Sequence, residues 1–253
     1  MKTTGRKVLI TRAGTGMGLE AAKRFSDNGS HVIVVARNAE RLRTEAARLP
    51  GAVAFPCDIA DEQQVARLVK LVGAEHPDLD TVLLNAGITH TTHTYKLFGT
   101  EDAAAHAEAE MRTNYLSAVR LIDGFVPLPQ RQADPALIIT TSGVAFAPDI
   151  TNPTYSATKA ALHSLTQSVR LQLERDASPV SVFEFMAPLV DSPFSAGVVS
   201  DQKVPASHAV AELFDALERN EFELHAALTK DIYEALRHSS DAAVRAVNAA
   251  TGG

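Results

Sequence analysis

The sequence has one cysteine, no cluster of basic residues and no long apolar run. Cys57 is the single cysteine among 253 residues, so the chain cannot form an internal disulfide. The 24 basic and 30 acidic residues give a formal net charge of −6 without a Lys/Arg patch, which argues against nucleic acid as a partner. A membrane helix needs about 20 consecutive apolar residues, and no stretch approaches that length. We therefore expect a soluble globular protein that does not act in a membrane.

The sequence also lacks signs of targeting and of division into domains. Its first residues, MKTTGRK, lead into a five-residue apolar strand and not into the longer apolar core of a signal peptide, which favours the cytoplasm. No Gly/Ser-rich linker or internal repeat divides the chain, and 45% hydrophobic residues suffice for a large core. We expect a single domain over residues 1–253, with residues 189–253 forming a substrate lid and a C-terminal cap.

Short β-branched segments alternate with longer helical patterns along most of the chain. Strands are predicted at residues 7–11, 31–36, 53–55, 81–85, 136–142 and 179–185, with an edge strand within 222–228. Helices are predicted to begin near Gly16, Asn38, Asp61, Asp102 and Thr154, and to cover 206–218 and 230–248. Strands that are apolar throughout and separated by helices indicate a parallel sheet covered on both faces. The predicted fold is α/β, a doubly wound parallel sheet with a helical C-terminal cap.

The segment LITRAGTGMGLE between the first strand and the first helix is rich in glycine. Such a loop places backbone N–H groups and the positive end of a helix dipole beside a diphosphate. An ordinary tight turn also uses glycine, but the position after the first strand favours nucleotide binding. The loop residues expected to contact the nucleotide are Thr11, Arg12, Gly14, Thr15, Gly16, Met17 and Gly18.

Arg12 is unexpected at the start of this loop. A left-handed backbone there would cost a non-glycine residue about 1–2 kcal/mol, and Gly14 offers a second position for part of the turn. We expect the guanidinium to face the adenosine side, where it would reach a 2′-phosphate or lie across the adenine. The alternative is that Arg12 occupies the adenosine site and blocks it.

The end of the second strand predicts the choice of cofactor. Ala36 stands where a carboxylate would bind the ribose of NAD. Arg37 follows with no acid nearby, and its planar guanidinium suits a 2′-phosphate, although a solvated arginine before a helix would look the same. We therefore expect NADP(H) to be preferred, with NAD(H) as the alternative.

Tyr155 and Lys159, in YSATK, lie four residues apart at the start of a helix and so project from one face. A nearby ammonium and an oxidised nicotinamide both favour phenolate, so Tyr155 can protonate a ketone oxygen or deprotonate an alcohol. Ser142 closes the fifth strand, and Asn114 is a polar break within the preceding long helix. Each residue alone also fits a structural role, but their order along the chain indicates a catalytic group.

These motifs resemble the short-chain dehydrogenase/reductase family from about Val8 to Ser195, and more weakly beyond. The family pattern T-G-x-x-x-G-x-G is present except at Arg12, and its N-N-A-G motif appears as LNAG. Stretches such as GLEAAKRFSDNG and KAALHSLTQSVRLQL look like the DltE-type oxidoreductase branch. The resemblance implies a Rossmann fold, a small-molecule carbonyl or alcohol substrate, and a homodimer or homotetramer.

The resemblance also implies roles for individual residues. Tyr155 would be the acid/base, Ser142 would position the carbonyl, Lys159 would bind the nicotinamide ribose, and Asn114 would anchor a relay water. Further cofactor contacts are implied at Asp58, Asn85, Ala86, Gly87, Pro188 and Ser192. The predicted function is an NADP(H)-dependent ketone reductase. The alternative is a nucleotide-binding regulatory or scaffold protein, because Arg12 and Leu189 replace family glycines.

Two further segments each allow two interpretations. His90, His93, Tyr95 and His106 could include metal ligands, but no cysteine or close carboxylate completes a set, so we expect a substrate-pocket rim and no metal. Residues 185–205 have the composition of a mobile lid or of a disordered connector. His163, one turn beyond Lys159, is expected to serve packing or an interface.

Overall fold

The structure, a computed structural model, describes residues 1–90 and 102–249. Its strands are β1 Lys7–Thr11, β2 His31–Ala36, β3 Val53–Pro56, β4 Thr81–Leu84, β5 Ala136–Ser142, β6 Ser181–Ala187, β7 Val190–Asp191, β8 Val204–Pro205 and β9 Glu223–His225. Seven of them form a parallel sheet in the order β3-β2-β1-β4-β5-β6-β9, while β7 and β8 pair separately. The predicted doubly wound sheet and its edge strand are confirmed.

Helices cover both faces of the sheet. They are α1 Gly16–Asp27, α2 Ala39–Ala46, α3 Glu62–Glu75, α4 Ala103–Glu110, α5 Ser117–Phe125, α6 Pro153–Arg175, α7 Ala206–Glu218, α8 Thr229–His238 and α9 Ser240–Asn248. The side chains of Asn38 and Asp61 accept hydrogen bonds from the first-turn N–H groups of α2 and α3, as predicted. A π-helical turn, Met111–Leu116, joins α4 to α5.

Neighbouring residues of each central strand enter two different apolar layers. Val8 and Ile10 of β1 join the layer that packs under α1 and α7, whereas Leu9 joins the layer under α3, α5 and α6. In the first layer the rings of Phe25 and Phe214 lie 4.5 Å apart between centroids. Because side chains alternate between faces, only strands that are apolar throughout can fill both layers.

Two predicted boundaries are wrong. Strand β6 spans Ser181–Ala187 and not 179–185, because its pairing with β5 runs from Ala136 opposite Ser181 to Ser142 opposite Ala187. The predicted C-terminal helix over 230–248 is two helices, α8 and α9. Ser239 between them is extended, with φ −163° and ψ 122°, and its hydroxyl accepts a hydrogen bond from the Ala242 N–H at the start of α9. A serine N-cap therefore begins a new helix at that point.

The strand order reverses between β1 and β4, which places the start of any ligand crevice at their carboxyl ends. Thr11 is fully buried there, and its hydroxyl accepts hydrogen bonds from the backbone N–H groups of Asn85 at 2.9 Å and Ala86 at 3.1 Å. The glycine loop and the residues after β4 are thus braced against each other.

Candidate active site

The glycine loop between β1 and α1 contains two left-handed residues. Arg12 has φ 54° and Gly16 has φ 55°, whereas Gly14 lies outside this region. The expectation that Gly14 takes over part of the turn is therefore wrong, and Arg12 itself bears a cost of about 1–2 kcal/mol. Thr15, the N-cap of α1, makes no side-chain hydrogen bond to the helix. The first N–H groups of α1 remain available to an anion.

Gly18 lets α1 pack closely against the ends of β1 and β4. A Cβ at this position would lie 2.4 Å from the Arg12 carbonyl oxygen and 2.7 Å from Nδ2 of Asn85. Met17 packs its side chain against the apolar core. The beginning of α1 is therefore held at a distance that a side chain at position 18 would prevent.

A cavity of about 300 Å³ begins at the glycine loop and follows the carboxyl edge of the sheet. It is lined by residues 35–38 at the end of β2, residues 57–60 after β3 and residues 86–88 after β4, together with Arg12, Gly14 and Thr15 of the loop. The predicted cofactor-binding residues that line it are Arg12, Gly14, Thr15, Arg37, Asp58, Ala86 and Gly87.

Arg37 and Asp58 meet at the outer end of this cavity. Nη1 of Arg37 lies 3.9 Å from Oδ2 of Asp58, and the arginine side chain is 81% exposed. The sequence-based statement that no acid lies near Arg37 is wrong, because pairing of Ala36 with Pro56 brings the ends of β2 and β3 together. Arg41, four residues beyond Arg37, lines the same cavity. This second cation was not predicted, although it lies in the first turn of a helix that begins directly after Arg37 and Asn38.

Asn114 lies in the π-helical turn and ties the chain after β4 to α6. Its Nδ2 donates to the Ile88 carbonyl oxygen and to Oγ1 of Thr158, both at 2.9 Å, while its Oδ1 accepts from the Ile88 N–H at 2.7 Å. The predicted polar break in the long helix is this turn. Single π-helical turns inside helices occur frequently at functional sites.

Ser142, Tyr155 and Lys159 meet at the carboxyl end of β5. Nζ of Lys159 is buried, donates to the Thr140 carbonyl oxygen at 2.9 Å and lies 5.7 Å from the centroid of the Tyr155 ring. A hydrogen-bonding interaction of the Ser142 side chain lowers the pKa of Tyr155, so the two side chains lie close together. The structure therefore brings these three predicted residues together, and Asn114 joins them through its bond to the first turns of α6.

Burial governs the protonation of this group. Burial raises the pKa of Tyr155 well above its ordinary value; the positive charge of Arg12 acts against this shift, Glu110 adds to it, and the hydrogen bond with Ser142 opposes it. Burial lowers the pKa of Lys159 to about 8, with the charge of Arg12 acting in the same direction and Glu184 against it. At neutral pH the phenol keeps its proton, and Lys159 is charged but close to its titration range.

The Arg12 side chain crosses the cleft towards Tyr155. Its guanidinium donates to the Gly87 carbonyl oxygen, and Cζ lies 4.8 Å from the centroid of the Phe194 ring, which itself lies 5.7 Å from that of Tyr155. The predicted orientation towards the adenosine side is therefore wrong. Burial lowers the pKa of Arg12, and the charge of Arg37 lowers it further, so the carbonyl and the aromatic face are better partners than a site beside a second cation.

The segment after β6 lies against the glycine loop. It begins at Pro188, and a Cβ on Gly16 would lie 3.3 Å from Cβ of Ser192. Ser195 is buried, and its carbonyl oxygen accepts from Nζ of Lys203 at 2.7 Å. With the short β7–β8 pairing, the segment has local structure at the edge of the site. Its action as a lid stays a prediction.

Of the residues after β4 that were singled out, the structure describes His90 and His106. Nδ1 of His90 lies 3.1 Å from Oε1 of the buried Glu110, and the His90 and His106 rings are stacked at 4.3 Å. His93 and Tyr95 lie outside the described residues. Within 1–90 and 102–249, no three His, Cys, Asp or Glu side chains group in a way that could hold a metal. Glu110 was missed by the sequence analysis because nothing local marks it as buried.

His163 packs inside the protein below the Tyr155–Lys159 face of α6. Its Nδ1 lies 2.9 Å from Oε1 of Glu184, and its ring meets that of Phe146 edge to face at 4.9 Å. Oγ1 of Thr141 donates to the same carboxylate at 2.6 Å. The sequence analysis gave no sign of Glu184, which lies on a strand that otherwise reads as apolar.

A family model described as short chain dehydrogenase matches residues 6–203. The chain belongs to the short-chain dehydrogenase/reductase family. The uncharacterized oxidoreductase DltE of Bacillus subtilis is 39% identical over 192 residues, which cover 76% of this chain and 74% of DltE. This similarity supports the DltE-type branch of the family that the sequence motifs indicated.

Solved structures of the family share the fold. A short chain dehydrogenase from Burkholderia cenocepacia in complex with NADP superposes with a TM-score of 0.85 at 24% identity, over 100% of each chain. A short-chain dehydrogenase from Sphingobium yanoikuyae in complex with NADPH gives 0.78 at 25% identity, over 92% of this chain and 93% of that one. As in those proteins, the whole Rossmann-type sheet is present here.

The described part of the chain contains no helix both long enough and apolar enough to cross a bilayer.

Proposed function

We propose that this protein is an NADP(H)-dependent oxidoreductase acting on a carbonyl/alcohol pair, and that it works as a ketone reductase. The observation that carries the proposal is the meeting of Ser142, Tyr155 and Lys159 at the same sheet edge that the cavity follows. Arg37 lies at the other end of that edge. A dinucleotide such as NADPH matches this arrangement, because it has a phosphorylated ribose at one end and a redox-active ring at the other.

The described residues fit a dinucleotide on physical grounds. The N–H groups at the start of α1 lack a side-chain cap and suit a diphosphate, while Arg37 and Arg41 suit a 2′-phosphate. We assign Thr11, the glycine loop, Asp58, Asn85–Gly87, Lys159, Pro188 and Ser192 to the remaining contacts. The complexes of the Burkholderia and Sphingobium relatives with NADP and NADPH support this cofactor.

The chemistry divides between the cofactor and the protein. A bound NADPH supplies the hydride for the carbonyl carbon. Tyr155 gives its proton to the ketone oxygen, and Ser142 donates a hydrogen bond to the same oxygen. Lys159 places a positive charge beside the phenolate that remains, which stabilises it. Asn114 holds the first turns of α6, which carry both side chains, against the chain after β4.

The direct test is a panel of diverse ketones with NADPH and of alcohols with NADP⁺. We expect turnover in both directions for at least one substrate pair. Tight binding of the cofactor without turnover across a broad panel would instead favour a nucleotide-binding regulatory or scaffold protein.

NADPH should bind about tenfold or more tightly than NADH, because a charge-assisted contact of Arg37 with the 2′-phosphate contributes about 1.5–3 kcal/mol. Arg37→Ala should remove most of this difference by weakening NADPH alone. Fluorescence titration of both cofactors measures it. Arg43→Ala, on the exposed face of α2, is the matched control and should leave both affinities unchanged. Equal affinities in the unmodified protein would contradict the assignment.

The rate of ketone reduction should fall as the pH rises through about 8, because Lys159 titrates there and reduction consumes a proton. Alcohol oxidation should show the opposite trend. Profiles of kcat/KM against pH in both directions measure this. Lys159→Arg keeps its charge at all accessible pH values, so its reduction profile should lose this limb; an unchanged limb would assign it to another group.

We also propose a homodimer or homotetramer in the cytoplasm. Leu116 and Val119 on the α5 side and Leu171 on α6 are exposed by 40%, 37% and 64%, which is consistent with helix faces that a second copy covers.

A further inference from the structure

Arg12 lies between the two ends of the proposed cofactor site. Its backbone belongs to the glycine loop, its guanidinium donates to the Gly87 carbonyl oxygen after β4, and its Cζ lies 4.8 Å from the Phe194 centroid. Both Arg12 and Gly87 line the same cavity as Arg37. A ligand that extends from Arg37 to Tyr155 must therefore pass the Arg12 guanidinium.

We propose that Arg12 binds the diphosphate of the dinucleotide and, through Phe194, links that diphosphate to the position of Tyr155. The inference rests on the proposed function. Arg12, which replaces a family glycine, would then have a binding role. Its ligand would be the diphosphate, which NADPH and NADH share.

Charge decides which part of the ligand meets Arg12. The diphosphate is the anionic part in the middle of a dinucleotide, whereas the riboses and both rings there carry no negative charge. On one side the open N-terminus of α1 offers N–H groups and a positive helix end. The Arg12 guanidinium contacts the Gly87 carbonyl oxygen, and both residues line the same cavity as Gly14 and Thr15 before α1. An anion bound there would therefore meet positive charge from the helix end and from Arg12.

The present contacts of the guanidinium are weaker than those a diphosphate would offer. Arg12 has a neutral carbonyl oxygen and an aromatic face as partners, whereas a diphosphate would add an opposite charge and can accept two parallel N–H bonds from the guanidinium. Burial also lowers the pKa of Arg12, while the charge of Tyr155 acts against this shift. An anion beside the guanidinium would favour its charged form, as a binding role for Arg12 requires.

Phe194 extends the effect to the proton-transfer group. Its ring lies between the Arg12 guanidinium and the Tyr155 ring, at 4.8 Å and 5.7 Å. A ligand that fixes the Arg12 guanidinium would therefore also fix Phe194, and with it the segment after β7, beside the Tyr155 ring. Phe194→Leu should keep the affinity for the diphosphate and change the kinetics at Tyr155.

The test compares Arg12→Met, which removes the charge but keeps a long side chain, with Arg12→Lys and Arg12→Gly. Isothermal titration measures the Kd for NADPH, NADH, ADP-ribose and adenosine 2′-monophosphate, which has no phosphate at the position of the diphosphate. We expect Arg12→Met to weaken the first three by about tenfold or more, to similar extents, and to leave the fourth within about twofold. Arg12→Lys should recover part of the loss. Arg12→Gly should bind as Arg12→Met does, while its higher melting temperature reports relief of left-handed strain.

Three results would overturn the inference while leaving the proposed function intact. A gain of affinity for both cofactors in Arg12→Gly would show that Arg12 blocks the site, and a loss confined to NADPH and adenosine 2′-monophosphate would show a 2′-phosphate contact. Unchanged affinities in all variants would show that Arg12 does not contact the cofactor. Failure of the unmodified protein to bind either cofactor would overturn both. Because the readout is binding, absence of turnover with tested ketones affects the proposed function alone.

Discussion

Replacing Tyr155 with phenylalanine should lower kcat for ketone reduction by about 10²–10⁴-fold, the usual contribution of a positioned general acid. The substitution removes only the hydroxyl, whose pKa the nearby Ser142 side chain helps to lower. The ring remains to pack against Phe194 at 5.7 Å. Affinity for NADPH should therefore stay within about twofold, which separates lost chemistry from lost binding.

Tyr233→Phe is the matched control for this variant. Tyr233 lies on α8, where its ring stacks on His225 at 4.0 Å between centroids and lies 5.4 Å from that of Phe146. Stopped-flow and steady-state assays with NADPH should show the control at nearly full activity. If Tyr155→Phe retained most of its turnover, proton transfer would need another donor and the assignment of the site would fail.

The fold follows from local patterns because each of its central strands has to be apolar on both faces. Runs such as VLI in β1 and VIVV in β2 are recognisable without knowing their neighbours, and Asn38 and Asp61 predict the starts of the helices that follow. The exact ends of strands and helices depend instead on their hydrogen-bonding partners. The pairing of β6 with β5, and the break at Ser239, arise from register and from a capping bond that periodicity does not show.

The residues of the candidate site also fall into those that local sequence patterns predict and those that only the folded structure brings together. Tyr155 and Lys159 are joined by helical spacing, and Ser142 by its place at the end of a strand, so sequence order alone brings them to one edge. The nearness of Asp58 to Arg37, the burial of Glu110 and Glu184, and the direction of the Arg12 side chain depend on contacts between distant segments. Such contacts leave no period or motif in the sequence, so the orientation predicted for Arg12 is wrong, while its part in cofactor binding stays a prediction.

Replacing Gly18 with alanine should destabilise the protein, although the position lies within α1. Helix propensity alone favours alanine over glycine by about 0.8–1.0 kcal/mol. Here the new Cβ would lie 2.4 Å from the Arg12 carbonyl oxygen, a backbone atom at the end of β1 that cannot move aside without shifting the strand. Forced overpacking typically costs about 1–3 kcal/mol, so the steric effect should exceed the gain in propensity.

Gly14→Ala tests whether this effect is specific to the close approach at Gly18. A Cβ on Gly14 would lie 3.7 Å from Cβ of Ala36, an ordinary contact, and the residue is not left-handed. Urea denaturation should therefore give an unfolding free energy within about 0.5 kcal/mol of the unmodified protein for Gly14→Ala, and a value lower by about 1–3 kcal/mol for Gly18→Ala. Gly18→Ala should also weaken NADPH and NADH together, because displacing the start of α1 moves the N–H groups proposed to bind the diphosphate. Equal stability of the two variants would show that the chain between β1 and α1 relaxes freely, and the close packing of α1 on β1 and β4 would then have no energetic importance.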